Sequence, residues 1–214
     1  MQHWNTYRGF WTVLNSFERP PVKLVIAGGY GCGKTTLIKS VADPDRYVRL
    51  TDEPITDASA SVDALTGVPE KTTTTVSIDF GRINLSNGTP LFLFGMPGQS
   101  RFWSVWDDHT HGAFGAVVVA DTRRLDDCFS SLDFYEDRNI PYLVAVNEFD
   151  GTKRYQPEDV ANALQIDTAK VPVINFDARQ RTDVKDVLAR LLEHVIETAA
   201  GAATSARARS RSGV

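Results

Sequence analysis

Residues 28–36 read Gly-Gly-Tyr-Gly-Cys-Gly-Lys-Thr-Thr. Gly28, Gly29, Gly31 and Gly33 crowd four glycines into six positions, a composition poor for helix and for strand. It suits a loop whose backbone N–H groups turn inward on an anion, with Tyr30 and Cys32 contributing their amides between the glycines. The spacing Gly28-x-x-x-x-Gly33-Lys34-Thr35 adds an ammonium and a hydroxyl at the loop's end. Lys34 is placed for β- and γ-phosphate oxygens, Thr35 for a Mg²⁺ ion, and Thr36 continues the anion-facing turn. Phosphate binding is the chemistry this set of residues can do.

Such a loop needs a strand before it and a helix after it. The apolar run 22–27 supplies the strand, and Leu37, Ile38 and Val41 supply the apolar side of the helix. That helix presents its N-terminus to the phosphates, where unpaired N–H groups and the dipole favour negative charge. Further along, residues 46–71 are polar and without a clear period. That length without structure in a compact domain points to a functional segment. The run Lys71-Thr-Thr-Thr-Thr75 leads into an alternating strand through Val76, Ile78, Phe80, Ile83 and Leu85. Asn87-Gly88 marks a hairpin turn, and residues 91–94 return as the next strand. Strands are expected at 116–120, 142–146 and 171–176, and helices at 124–138, 157–164 and 182–199. Strands alternating with helices give an α/β fold with a mostly parallel sheet of six strands, covered by helices on both faces. Residues 1–21 form an amphipathic extension on the spacing Tyr7, Phe10 or Trp11, Leu14, Phe17. Residues 22–198 form one domain. Residues 199–214, rich in Ala, Ser and Arg, read as a disordered tail.

Composition narrows the class. Apolar residues make up 42% and charged residues 23%, as in a soluble globular domain. The net charge of −4 does not suit a nucleic-acid partner. Three arginines and no acid fall in residues 199–214, leaving 20 basic against 27 acidic residues elsewhere. Two cysteines make no disulfide framework, which fits a reducing cytoplasm. The sequence holds no apolar run near 20 residues, so at most peripheral membrane contact is expected, through the arginines or through partners.

The order phosphate loop, Thr run, Pro-Gly-Gln at 97–99, Asn-x-x-Asp at 147–150 and Asp-Ala-Arg at 177–179 resembles the Ras-like small GTPases over residues 22–198. Within them it is most similar to the bacterial gliding-motility (Mgl-type) and actinobacterial conservon GTPases. The resemblance implies a P-loop NTPase with a Ras-like three-layer fold. It implies GTP and GDP as ligands, Mg²⁺ as cofactor, and slow hydrolysis of GTP to GDP in a signalling switch. It assigns Thr75 to Mg²⁺ and the γ-phosphate, the Gly98 amide to the γ-phosphate, and Gln99 to the attacking water beside Lys34. It assigns Asn147 to a tie between loops, Asp150 to guanine, and Ala178 and Arg179 to the loop over the base. It implies a Roadblock/LC7-type regulator and a sensor-kinase-like member of the same pathway. Several residues depart from the pattern. Gly95 stands where the family carries an Asp for a Mg²⁺ water. Tyr30 replaces a small residue, and Glu148 replaces a Lys. Asp121, ending the next strand, is either an indirect contributor or a cap. Phe102, Trp103 and Trp106 are either core or partner surface, and Arg101 is a candidate arginine in cis or a surface ion pair. Two other readings stand beside this one: a nucleotide-binding scaffold without turnover, and an ATP-binding P-loop protein.

Overall fold

A computed structural model describes residues 19–51, 55–56, 73–74, 77–98 and 103–211. The expected amphipathic helix over 1–21 lies almost wholly outside these residues, as do Thr75, Gln99, Arg101 and Phe102. The central strand β1 (Val22–Gly28) is half-buried at its first two residues and buried from Leu24 to Gly28, the mark of a strand covered on both faces. Its side chains alternate between two cores. Leu24 and Ile26 join Leu37, Ile38, Val41, Val184, Val187 and Leu191 on one side. Val25 and Ala27 join Trp106, Leu132, Phe134, Tyr135 and Val160 on the other.

The helices follow from that division. Helix α1 (Lys34–Val41) covers the first core, as does the last helix, α5 (Arg181–Arg211). On the opposite face lie α2 (Trp103–Thr110), α3 (Phe129–Asp137), entered through a 3₁₀ turn at Leu125–Cys128, and α4 (Pro157–Ala163). The remaining strands are β2 (Tyr47–Thr51), β3 (Ile55–Thr56), β4 (Thr73–Thr74), β5 (Ser77–Asn84), β6 (Pro90–Gly95), β7 (Gly115–Ala120), β8 (Tyr142–Asn147) and β9 (Val173–Phe176). Among the described residues, seven of the nine strands form one sheet in the order β2-β5-β6-β1-β7-β8-β9, and β3 pairs with β4 alone. β5 runs against β2 and β6, and the other neighbours are parallel. The chain moves from β1 to β6 on one side and β7 on the other, so a crevice opens at the carboxyl end of β1.

The expected α/β architecture with helices on both faces is present, with seven strands in the main sheet where six were expected. The seventh is β2, inside a segment that shows no period. It is an edge strand held by backbone pairing to β5, with Val48 exposed, so no alternating apolar face announces it. A second addition is α2, on the segment that follows Pro-Gly-Gln. Trp106 resolves to core: it is 1% exposed, meets Phe134 edge-on with centroids 5.1 Å apart, and donates its indole N–H to the Pro97 carbonyl at 3.2 Å.

The tail needs correction. Residues 199–211 are not disordered but continue α5 to Arg211. The reason is local. The segment is Ala-rich, lacks Pro, and has one Gly, at 201, so helix propensity carries it on after its apolar face has ended. Residues 199–204 are exposed. A chain ending at Ala199 is therefore expected to melt within about 2 °C of the full chain, followed by circular dichroism, with a lower helical signal. A larger fall would mean that the extension packs on something. No helix among the described residues is long and apolar enough to cross a membrane.

Candidate nucleotide site

The phosphate loop leaves β1 at its carboxyl end and turns directly into α1. Gly33 has φ of 114°, and a Cβ there would lie 2.5 Å from Asn147 Nδ2. Glycine is needed both for that backbone and for the close passage of Asn147. Lys34 folds back over the loop, its ammonium donating to the carbonyls of Gly28 at 2.8 Å and Gly29 at 2.6 Å. Its charge already sits in the hollow of the loop. Cys32 is buried, and burial pushes its thiol pKa up, so the sulfur is protonated and fills space. Tyr30 is 73% exposed at the loop's tip. Arg124, from the turn after β7, bonds the Tyr30 carbonyl and so pins that tip from outside.

Asn147 joins three segments. Its Nδ2 donates to the Cys32 carbonyl at 2.9 Å, and its Oδ1 accepts from the Ala178 N–H at 3.0 Å. Asn147 is 5% exposed and Ala178 2% exposed, so both bonds are sheltered from water. The phosphate loop, the loop after β8 and the loop after β9 are thereby held in one arrangement. That is the tie expected of Asn147. It also engages the Ala178 amide expected to face a base. Asp150 lies beside them with its side chain 83% exposed. Arg179 grips it through both terminal guanidinium nitrogens, Nη2 to Oδ1 at 2.9 Å, and holds Asp177 as well. These bonds from Arg179 hold the Asp150 carboxyl below the usual carboxylate range. Glu148, in the position of a lysine, pairs with Arg154 at 2.9 Å.

The segment that follows β6 approaches from the other side. Met96 N–H donates to the Ile26 carbonyl at 2.8 Å, carrying the pairing of β6 with β1 past the sheet's edge. A Cβ on Gly98 would lie 2.7 Å from the Gly29 carbonyl carbon and the Tyr30 nitrogen. The backbone at Gly98 thus rests on the phosphate loop. Thr75 and Gln99 lie outside the described residues. Asp121 is settled as a turn residue: it is 2% exposed and accepts from the Arg123 N–H at 3.0 Å and guanidinium at 2.8 and 2.6 Å.

One residue at the site is absent from the sequence reading. Asp79, on β5, accepts a short hydrogen bond from the Thr35 hydroxyl, one from Tyr47 Oη at 2.7 Å and one from Arg49 Nε at 3.1 Å. Burial acts to raise its carboxyl, and the three donated bonds outweigh it, leaving the carboxyl below its ordinary range. Hard oxygen donors and a carboxylate at Thr35 fit Mg²⁺, which favours a few protein oxygens together with water and phosphate.

The family model described as "conserved hypothetical ATP binding protein" matches residues 26–198. The chain belongs to that family. The match takes in the phosphate loop from Ile26 and the loops of Asn147 and Ala178. Among solved structures, the FeoB G-domain from Methanococcus jannaschii aligns with a TM-score of 0.54 at 14% identity, over 82% of this chain and 97% of that one. The cytosolic domain of the T. maritima FeoB iron transporter, in a GDP form, aligns with a TM-score of 0.57 at 16% identity, over 82% of this chain and 63% of that one. The G domain of the T. maritima protein gives 0.53 at 18%, over 83% and 98%. At these identities the likeness is one of fold. This member of the ATP-binding family has a P-loop GTPase-like fold.

Proposed function

We propose that this chain is a GTP-binding switch that hydrolyses GTP to GDP. The observation that carries the reading is Asn147, which bonds the phosphate loop on one side and the Ala178 loop on the other, with the exposed carboxylate of Asp150 beside it. A carboxylate only accepts hydrogen bonds. Guanine offers two donors on one edge, N1–H and the 2-amino group, and adenine does not. Ala178 and Arg179 would complete the base side, on a loop that the bond from the Ala178 amide to Asn147 holds in place. On the phosphate side Lys34 and the amides of residues 29–36 hold the β- and γ-phosphates. Thr35 and Thr75 would hold Mg²⁺, which when bound neutralises charge on the phosphate oxygens. Gly98 donates its amide to the γ-phosphate and Gln99 orients the water. Such catalysis is positional and electrostatic, and its unaided rate is slow.

The family's description names ATP, and that favours a second reading in which the same loop takes adenine. Competition of GTP and ATP against a labelled nucleotide decides between them. Displacement by GTP at concentrations at least tenfold below ATP supports the guanine reading, and the reverse order overturns it.

Resemblance to the Mgl-type and conservon GTPases extends the proposal to bacterial signalling in the cytoplasm. It adds a Roadblock/LC7-type regulator acting on the switches, and sensor-kinase-like members of the pathway. Gln99→Ala is expected to lower hydrolysis by tenfold or more and to change GTP affinity less than threefold, since Gln99 acts on the water. Phosphate release with and without a regulator measures this. Unchanged turnover in both would assign the water to another residue.

A further inference from the structure

We propose that Asp79 supplies the carboxylate of the Mg²⁺ site, acting through the Thr35 hydroxyl that it accepts. The proposal rests on the GTP reading above and names a residue which that reading leaves out. A threonine hydroxyl that gives a lone pair to a cation still carries its proton. Ligation makes that proton more acidic, and it must be donated to something. In this chain the acceptor is Asp79 Oδ2. A carboxylate has about four lone-pair sites. Asp79 receives three protein donors, from Thr35, Tyr47 and Arg49, so room for one more remains, which suits a water on the ion. At 8% exposure its charge is sheltered, and a divalent ion beside it gains more than it would at the surface.

The pairing of the strands explains why the carboxylate stands at this position. Asp79 on β5 is directly opposite Gly95 on β6. A Cβ at Gly95 would lie 3.1 Å from the Asp79 Cβ and 3.0 Å from Ile38 Cδ1. Glycine at 95 makes the room through which the Asp79 side chain reaches Thr35. Two strands that face each other across one register position can deliver a carboxylate to the same place from either side, and this chain uses β5. Other nearby carboxylates are engaged elsewhere: Asp121 with Arg123, and Asp127 beside Gly29 and 3.8 Å from Arg124.

Asp79 is a positioning residue, so its test reads metal rather than turnover. Release of a fluorescent GDP analogue is followed while Mg²⁺ is titrated from EDTA to millimolar concentrations, with Mn²⁺ binding measured in parallel by electron paramagnetic resonance. Asp79→Asn is expected to raise the Mg²⁺ needed for half-maximal slowing of release by about 10–100-fold, the usual loss when an outer carboxylate is removed. Release in EDTA should stay within threefold of wild type. Asp79→Gly combined with Gly95→Asp, which moves the carboxylate across the register pair, is expected to restore most of the Mg²⁺ response. Arg49→Ala, on an exposed side chain of the edge strand, removes a competing positive charge and is expected to lower the Mg²⁺ requirement. It also keeps the test open if neither change at residue 79 folds. An Mg²⁺ response in Asp79→Asn like that of wild type, or no shift in Arg49→Ala, overturns the proposal. Failure of the wild type to bind the GDP analogue at all, in EDTA or in Mg²⁺, instead overturns the GTP reading itself.

Discussion

Lys34→Ala is expected to remove measurable nucleotide binding while leaving the fold in place. The ammonium of Lys34 lies within the phosphate loop, on the carbonyls of Gly28 and Gly29. A bound triphosphate brings several negative charges to the same hollow. The loop amides supply partial charges only, so Lys34 is the full positive charge that the loop sequence itself provides. Hydrogen bonds to charged groups contribute about 1.5–3 kcal/mol each, and two of them lost correspond to roughly 10²–10⁴ in affinity. The ammonium also offsets the repulsion between the phosphates and the loop carbonyls, which would face the ligand uncovered in the variant. The fold should tolerate the change, because Lys34 belongs to neither core and its hydrogen bonds stay within the loop. Isothermal titration with GTP and GDP, beside a thermal melt of the ligand-free protein, makes the check. A melting temperature within a few degrees of wild type with no heat of binding is the expected pair of results. Wild-type affinity would mean that the loop does not hold phosphate.

The parts of this site written in contiguous residues were legible, and those made by long-range pairing were not. Glycine spacing, Lys34 and Thr35 define the loop within nine residues, and the strand and helix on either side have apolar patterns of their own. Asn147, which joins the loops, was legible for the same reason, as part of a short motif at the end of a fully apolar strand. Asp79 reads in the sequence as the polar member of an alternating strand. Its place at Thr35 depends on β5 pairing with β6 in a register that sets it opposite Gly95, and on β2 bringing Tyr47 and Arg49 to it. The edge strand β2 was hidden for the same physical reason, since backbone pairing stabilises it and leaves no mark in side-chain periodicity. Helix α2 carries Trp106 as a deep anchor, and that burial is set by packing against Phe134 and Tyr135 from a distant helix. In α5 the opposite error arose: a low-complexity composition suggested disorder, and the same alanines carry the helix onward.

Asp150→Asn is expected to shift base preference from guanine toward xanthine. The carboxylate accepts from N1–H and from the 2-amino group. Xanthine keeps N1–H and carries a carbonyl at position 2, which a carboxylate oxygen repels. The Asn amide presents one acceptor and one donor, matching xanthine and opposing the 2-amino group of guanine donor to donor. GTP affinity should fall roughly tenfold to a hundredfold, the range set by leaving such groups unpaired, and XTP should compete. Arg179 adds a second consequence. Its guanidinium offers Asp150 two parallel donors, the same pattern that guanine offers, and it holds both carboxylate oxygens. A base can reach Asp150 only as Arg179 withdraws or shares an oxygen. That exchange should be easy, because the pair is exposed and screened by solvent. The neutral Asn weakens this pair too, so part of any change in binding rate would come from the release of Arg179. Arg179→Ala separates the two effects: it is expected to speed GTP association and to leave the order GTP over XTP and ATP unchanged. Competition of the three nucleotides against a labelled ligand, run on wild type and both variants, reads ranking and rate together. If Asp150→Asn ranks the three as wild type does, Asp150 does not read the base, and the choice of guanine has to lie in other groups around the Ala178 loop.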